Sequence, residues 1–355
     1  MATEGKRKRP TIHDVARTAC VSAATVSKVL RGSASVKAEN SLRVHDAVQS
    51  LGYRMDPLAS GLRQEQRRII GAILPDLQSP FFGALATGLE RASEAAGFTT
   101  IIASSRESEE READLVARMN DWRVAGTILA PVRSERGMGA TALRTLDMCA
   151  VLVDRVSADD RFDTVTADNF EASANVADFL LAAGHRHILL HGATRISKAV
   201  RTRLDGFCTR ARALVPEVRI DTLLSNDDLE TQHRAIHDYF DSRSLEDRPT
   251  AVFSLSQYST LLVLSELRRQ GIRIPDHIAL VGFDDVDWMQ TAWPSITAVA
   301  QPVETMASRA IATLLSRIEG QSTGFSVQYL ETCDLQVRQS AVPGERIPRP
   351  IVRGR

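Results

Sequence analysis

Two sets of residues in this chain can do chemistry, and neither has a catalytic pattern. The first lies near the N-terminus. Thr11 and Ser22 are residue types that cap helices, and Thr25, Ser27, Lys28 and Arg31 follow closely, offering hydroxyl groups and positive charge to a polyanion. The second set is spread through the rest of the chain. Asp154, Arg155, Arg203, Asp284 and Gln301 can make charged or bidentate hydrogen bonds to hydroxyls, and Phe81 and Phe82 offer apolar faces to a sugar ring. That mixture suits a polyol. No nucleophile elbow, P-loop or HExxH motif is present. Gly137-Met138-Gly139-Ala140-Thr141-Ala142 fits G-x-G-x-x-A, but it follows Ser134-Glu135-Arg136 rather than a strand-like run and is read as a chance match. His185 with His187, and His233 with His237, have no third ligand nearby in sequence and are read as surface histidines. The expectation is a non-enzyme with no metal and no cofactor.

Charge is divided unevenly along the chain. The 355 residues balance 44 Lys/Arg against 44 Asp/Glu. Residues 1–70 nevertheless hold 13 Lys/Arg against 6 Asp/Glu, which leaves 31 against 38 for the remainder. A basic head on an acidic body implies that the head meets a polyanion. The excess runs from KRKR at 6–9 through Lys28, Arg31, Lys37, Arg43, Arg54, Arg63, Arg67 and Arg68. With 43% hydrophobic and 25% charged residues the chain is neither disordered nor collagen-like, and it is long enough for two or three domains. Four cysteines without a C-x-x-C pair indicate neither a disulfide framework nor a zinc ribbon. No apolar run approaches the ~18 residues of a membrane span, and MATEGKRKRP leads into no apolar signal segment. A cytoplasmic, nucleoid-associated protein is expected.

These residues need elements to position them. Thr11 caps a short helix whose apolar face is Ile12, Val15 and Ala16 and whose end falls near Thr18; Asp14 adds a carboxylate to its first turn. Ala19-Cys20-Val21 breaks it, and Ser22 caps the next helix, Ala23 to Leu30, with Val26, Val29 and Leu30 inward. Two short helices joined by a three-residue turn fit a helix-turn-helix, whose second helix enters the major groove. A third helix, about 37–51, carries Leu42, Val44, Val48 and Leu51 as its core stripe and ends at Gly52. From Ile69 onward, strand-like runs (69–74, 99–104, 126–130, 150–154, 187–191, 251–255 and 278–283) alternate with helical stretches. Such alternation predicts two α/β lobes with mainly parallel sheets, and a ligand beyond the strand C-termini.

TIHDVARTACVSAATVSKVLRG, then Val36, Arg43-Val44 and Leu51-Gly52-Tyr53, is similar to the N-terminal domain of the LacI/GalR family of bacterial repressors. The resemblance continues through LASGLR (58–63), PDLQSPFF (75–82), DR (154–155), GHRH (184–187), RLDGF (203–207), VGFDD (281–285) and PSITAVAQP (294–302), almost the whole chain in order. It implies an N-terminal all-α helix-turn-helix DNA-binding domain plus an α/β two-lobed periplasmic-binding-protein-like (type I) effector domain. The implied boundaries are a headpiece at 1–56, a hinge helix or linker at 57–66, an effector-binding and dimerisation domain at 67–342 and a flexible tail at 343–355. It also implies a transcriptional regulator, most often a repressor, acting as a homodimer on a near-palindromic double-stranded DNA operator. A small, carbohydrate-derived effector between the lobes would control it.

The resemblance assigns DNA contacts to Thr11, Ser22, Ala23, Ala24, Thr25, Ser27, Lys28, Arg31 and Tyr53. Ala23 and Ala24 occupy the positions that often read bases; alanine can touch a thymine methyl but cannot hydrogen-bond, so readout leans on Thr25, Ser27 and Lys28. After Pro57, Leu62 matches a leucine that wedges open the central base step of the operator, with Ala59 as its packing neighbour. Met55-Asp56 and Gly61 depart from the family pattern and keep a plain flexible linker as the alternative. Cys20 stands where the family has a turn glycine. Effector contact is assigned to Ser79, Phe81, Phe82, Asp154, Arg155, Arg203, Ser256, Asp284 and Gln301. The alternatives are that Asp284-Asp285 caps the helix after 278–283 and that the two phenylalanines simply pack. Ser79 and Ser256-Gln257 replace the family's Asn and Asn-Asp. Arg195, Lys198 and Arg201 form either a solvated basic loop or the cue to an anionic effector, a sugar acid or sugar phosphate. Two rivals stand beside the regulator: an enzyme or transport-type binding protein on the same α/β body, and a regulator whose cleft has lost its ligand. The tail PGERIPRPIVRGR has no leucine heptads, so a dimer rather than a tetramer is expected.

Overall fold

The computed structural model describes residues 10–30, 36–53, 68–193, 198–225, 229–322 and 324–341. Arg31, the linker with Ala59 and Leu62, Arg195 and the tail after Ala341 lie outside the described residues. The chain divides into two compact units, 1–67 and 68–355.

The first unit holds α1 (Ile12–Thr18), α2 (Ala23–Leu30) and α3 (Ala38–Leu51). Both expected caps are formed. Thr11 N donates to Asp14 Oδ2 at 2.9 Å while Asp14 N donates to Thr11 Oγ1 at 3.3 Å, and Thr25 N donates to Ser22 Oγ at 3.1 Å. Each such cap stabilises a helix by about 1 kcal/mol. Val15, Ala16, Val26, Val29, Val44 and Ala47 make the buried core, with Leu30, Val48, Leu51 and Tyr53 packed around it. Leu42 is not part of it: it is 67% exposed. The inward stripe of α3 is Val44, Ala47, Val48 and Leu51, and Leu42 sits two residues, about 200°, round the helix from Val44. Cys20 takes φ +52°, so the turn keeps the left-handed backbone that suits glycine in spite of the side chain, at about 1–2 kcal/mol.

The second unit has two six-stranded sheets. Its strands are β1 (Ile69–Leu74), β2 (Thr99–Ser104), β3 (Gly126–Leu129), β4 (Ala150–Val153), β5 (Asp163–Ala167), β6 (His187–Ala193), β7 (Arg219–Ser225), β8 (Ala251–Ser254), β9 (Ala279–Phe283), β10 (Thr297–Ala300), β11 (Gln328–Glu331) and β12 (Asp334–Gln336). The sheet orders are β11-β5-β4-β3-β1-β2 and β12-β10-β9-β8-β6-β7. All pairings are parallel except β10 with β12. All seven expected runs are strands; β5, β7, β10, β11 and β12 are additional. Strands such as β3, β4 and β9 are buried along their length because helices cover both faces, which is why they read as unbroken apolar runs.

The chain passes between lobes three times. Helix Asn169–Ala182 follows β5 but packs on helix Lys198–Leu214 of the second lobe, and helix Val303–Ile318 follows β10 but packs on helix Pro80–Ala95 of the first. The third passage is β11 to β12. No described helix is long and apolar enough to cross a membrane.

Packing at the first passage is tight. A Cβ on Gly206 would lie 2.2 Å from the Phe170 carbonyl oxygen, a backbone atom that cannot rotate away. Gly206→Ala is therefore expected to destabilise the second unit by about 1–3 kcal/mol, read as a lower urea midpoint with unchanged slope; an unchanged midpoint would mean the two helices separate freely.

Candidate functional site

In the first unit, Thr11, Ser22, Ala24 and Lys28 are exposed and Thr25, Ser27 and Tyr53 are half-buried. Ala23 is half-buried against the headpiece core, so of the two alanines Ala24 is the more exposed. The Ser22 and Thr25 hydroxyls bond to each other at 2.9 Å, and Arg17 is held by Asp14. The outer face at the start of α2 thus offers hydroxyls, one methyl and the Lys28 ammonium.

In the second unit, turns after the strand C-termini enclose a cavity of about 220 Å³. All nine sequence-assigned residues line it: Ser79, Phe81 and Phe82 after β1, Asp154 and Arg155 after β4, Arg203 in the helix after β6, Ser256 after β8, Asp284 after β9 and Gln301 after β10. In each sheet the first strand, β1 or β6, lies between the next two in sequence, which is the switch point where α/β folds bind ligands. Sequence reasoning did not assign Asp76, Glu107, Ala199, Val200, Gln257 and Tyr258 to this lining. Asp76 and Glu107 follow strand-like runs, so the strand-end rule applied to every run would have found them.

Asp154 and Asp284 take φ +65° and +69° after equivalent strands of the two sheets. Asp154 is 6% exposed, and burial raises its pKa against the opposing pull of Arg155 and Arg203. Asp284 Oδ1 accepts from Gln301 Nε2 at 2.6 Å and Oδ2 from Gln257 N at 3.3 Å. Asp284 therefore meets the first turn of helix Gln257–Arg269, while Asp285 pairs with Arg338; neither caps helix Asp287–Thr291, which follows β9 and has no side-chain cap. Arg203, 4% exposed, donates from Nε to Asn169 Oδ1 and from Nη1 to Leu255 O, both at 2.7 Å, and its guanidinium lies 3.5 Å from the Phe283 ring centre. Arg155 is clamped by both oxygens of Glu107 at 2.7 and 2.8 Å and lies over Phe82 at 5.3 Å. Phe81 and Phe82 make an edge-to-face pair, both buried, so they pack as well as line the cavity. Gln257 Nε2 and Gln301 Oε1 are buried without a hydrogen-bond partner. Lys198 and Arg201 are exposed and do not line the cavity, whose charges are four carboxylates (Asp76, Glu107, Asp154, Asp284) and two guanidiniums.

The glycine-rich segment has a structural use. Gly137 precedes helix Met138–Thr145, and its first N–H groups meet carboxylates from helix Glu109–Asp121: Met138 N donates to Glu109 Oε2 at 3.3 Å and Gly139 N to Glu112 Oε1 at 3.1 Å. Glu112 Oε2 also accepts from Val132 N at 2.6 Å, and the residue is wholly buried. Burial pushes its pKa up to about 7 in spite of these bonds. The four histidines are not freely exposed: each is half-buried, His185 near Thr250, His187 near Asp221 and both His233 and His237 near Glu266. No group of three or more potential metal ligands occurs among the described residues.

Comparison with known proteins accords with this architecture. A family model for bacterial regulatory proteins of the lacI family matches residues 11–56, and one for a periplasmic binding protein-like domain matches 177–341. The HTH-type transcriptional regulator PtxS of Pseudomonas plecoglossicida is 31% identical over 324 residues, 88% of this chain and 91% of its own. The HTH-type transcriptional repressor CytR of Escherichia coli (strain K12) is 27% identical over 341 residues, 96% and 98%. Among solved structures, a transcriptional regulator CelR–cellobiose complex matches with TM-score 0.70 at 25% identity, covering 94% of this chain and all of its own. The Lac repressor dimer bound to operator and the anti-inducer ONPF shares the fold, with TM-score 0.82 at 21% identity over 94% of this chain and all of its own. Fold and site thus define the class: a helix-turn-helix DNA-binding module joined to a two-lobed effector domain. The chain belongs to the lacI family of bacterial regulatory proteins and is a DNA-binding transcriptional regulator.

The Glu112 carboxyl has a consequence for stability. Its folded pKa of about 7 exceeds the ordinary glutamate value of 4.5, so between those values the folded state binds more protons than the unfolded one. Its contribution therefore falls as pH rises through that window and levels off above it. Glu112→Gln is expected to flatten this component of the stability–pH curve measured by urea unfolding; an unaltered slope would place the titration elsewhere.

Proposed function

We propose that this chain is a homodimeric, sequence-specific repressor in the cytoplasm, and not an enzyme, whose operator affinity is set by a small carbohydrate-derived effector in the cleft. In this reading residues 1–56 contact DNA through Thr11, Ser22 and Tyr53 and the α2 residues Ala23, Ala24, Thr25, Ser27 and Lys28, with Arg31 beyond them. Residues 57–66 form the hinge, where Leu62 is the base-step wedge and Ala59 its neighbour, and 67–342 bind effector and partner subunit.

The observation that carries the proposal is the convergence of strand-end side chains from both lobes on one cavity that retains unpartnered buried amide atoms, Gln257 Nε2 and Gln301 Oε1. Buried polar groups without partners cost free energy, so these atoms favour a guest rich in hydroxyls. Asp154 and Asp284 accept from such hydroxyls, and Phe81 and Phe82 face the ring. The relatives agree in kind: CelR is solved with cellobiose, and the Lac repressor as an operator-bound dimer with ONPF. A sugar acid is the second reading. It is favoured by Arg203, a buried cation held by an amide, a carbonyl and a ring, with no ion-pair partner among the described residues.

Two measurements test the proposal. Genomic fragments captured by the purified protein at near-physiological salt should converge on one near-palindromic site, and Lys28→Ala should reduce the salt slope of binding by about 1; diffuse retention would count against sequence-specific control. A melting screen of neutral sugars, aldonic acids and uronic acids should find a stabilising compound, worth about 2.7 kcal/mol at 100 times its Kd. Stabilisation by neutral sugars alone would discard the acid reading, and stabilisation by none would discard the effector role of the cleft.

A further inference from the structure

Glu112 lies outside the cleft, yet its bonds lead there. Its carboxylate accepts from the backbone of Val132 and Gly139. The carbonyl of the same Val132 accepts from Arg155 Nη1 at 3.3 Å, and Arg155 lines the cavity between Glu107 and the Phe82 ring. The site is built around the carboxylate, because a Cβ at position 139 would fall 2.2 Å from Glu112 Oε1. Gly139 is thus the residue that admits the glutamate.

We propose that Glu112 is a positioning residue for the first-lobe wall of the cleft, holding Arg155 in place across Val132 and releasing it on taking up a proton. The ionised carboxylate has an acceptor for each N–H. The neutral acid carries a proton on one oxygen, which makes that oxygen a much poorer acceptor, so the bond it takes from an N–H weakens. The charged groups facing it are Glu109 on its own helix, which opposes ionisation, and Arg155 from the turn after β4, which favours it; burial opposes it most. Val132 and Gly139 face it with backbone N–H groups alone. Arg155 has little slack, since Glu107 grips both its Nη atoms, sharing Nη1 with Val132 O, and takes φ +56°, beside Arg106 at +52°. Strained backbone of this kind persists where surrounding contacts over-determine it. Loss of the Val132 anchor leaves Arg155 to follow Glu107 away from Phe82. The inference rests on the effector reading for its effect on binding, not for the positioning itself.

The test uses the full-length protein with ¹⁵N-labelled arginine. The Arg155 Nε–H resonance, assigned with Arg155→Lys, is followed against pH in wild type and in Glu112→Gln, which is isosteric and carries one acceptor where the carboxylate has two. The expected result is a shift with midpoint near the Glu112 pKa of about 7 in wild type and none in the variant. A wild-type resonance that does not move, or one that titrates identically in Glu112→Gln, overturns the proposal. The compound found in the melting screen should then bind wild type about tenfold more tightly at about pH 8 than at about pH 6, and Glu112→Gln equally weakly at both. Equal wild-type affinities at the two pH values overturn the link to binding. If no sugar or sugar acid binds while Arg155 still titrates, the positioning role stands and the effector reading falls.

Discussion

The buried guanidinium of Arg203 is the contact on which the cleft depends. It carries a full charge out of water, so its geometry must be nearly complete. One bond goes to Asn169, at the first passage between lobes, and another to Leu255 O, just past β8; its plane lies against Phe283 at the end of β9. Asn169 in turn donates to Ala167 O at the end of β5. A single side chain thus ties two strand ends of the second sheet, through Asn169, to the end of β5 in the first before any guest arrives.

Around that contact the two lobes repeat one another. Each sheet places its first, second, third, fourth and fifth strands in the same order, and each fourth strand ends in an aspartate with a left-handed backbone. Aspartate tolerates that region better than most residues, and the turn aims the carboxylate inward instead of leaving it to cap the next helix. The two carboxylates nevertheless live differently. Asp154 is surrounded by Arg155, Arg203 and apolar walls, whereas Asp284 is already occupied by Gln301 and the start of a helix. Backbone symmetry sets where the groups stand; unlike neighbours set how readily each meets a guest.

Much of this was readable from residue order alone. Unbroken apolar runs mark strands covered on both faces, and residues just past them stand at the cleft; the family resemblance picked out nine of these, and all nine line the cavity. The failures have physical causes. β5, with Asp163 and two threonines, β7, with Arg219, Asp221 and Thr222, and the short β11 and β12 lack a long apolar run because they are held by pairing rather than by their own hydrophobicity. Leu42 reads as inward by residue type, whereas the helical period puts it outward. Glu107 escapes because it stands three residues past the run at 99–104, in a left-handed turn that brings it back to the cleft. Cys20 shows the opposite: the expected glycine is absent, yet the turn keeps its shape, because the packing of α1 on α2 outweighs a local preference of about 1–2 kcal/mol.

The triple passage between lobes limits what the second unit can report. A single connection would let one lobe twist and slide on the other in many ways. Three roughly adjacent connections, near 168, 302 and 332, suppress most of these motions and leave rotation about a line through the connections as the soft one. A guest that closed the lobes would then register as one angle, and any distant surface that followed it would receive a scalar signal, the same for every guest that closed them equally far.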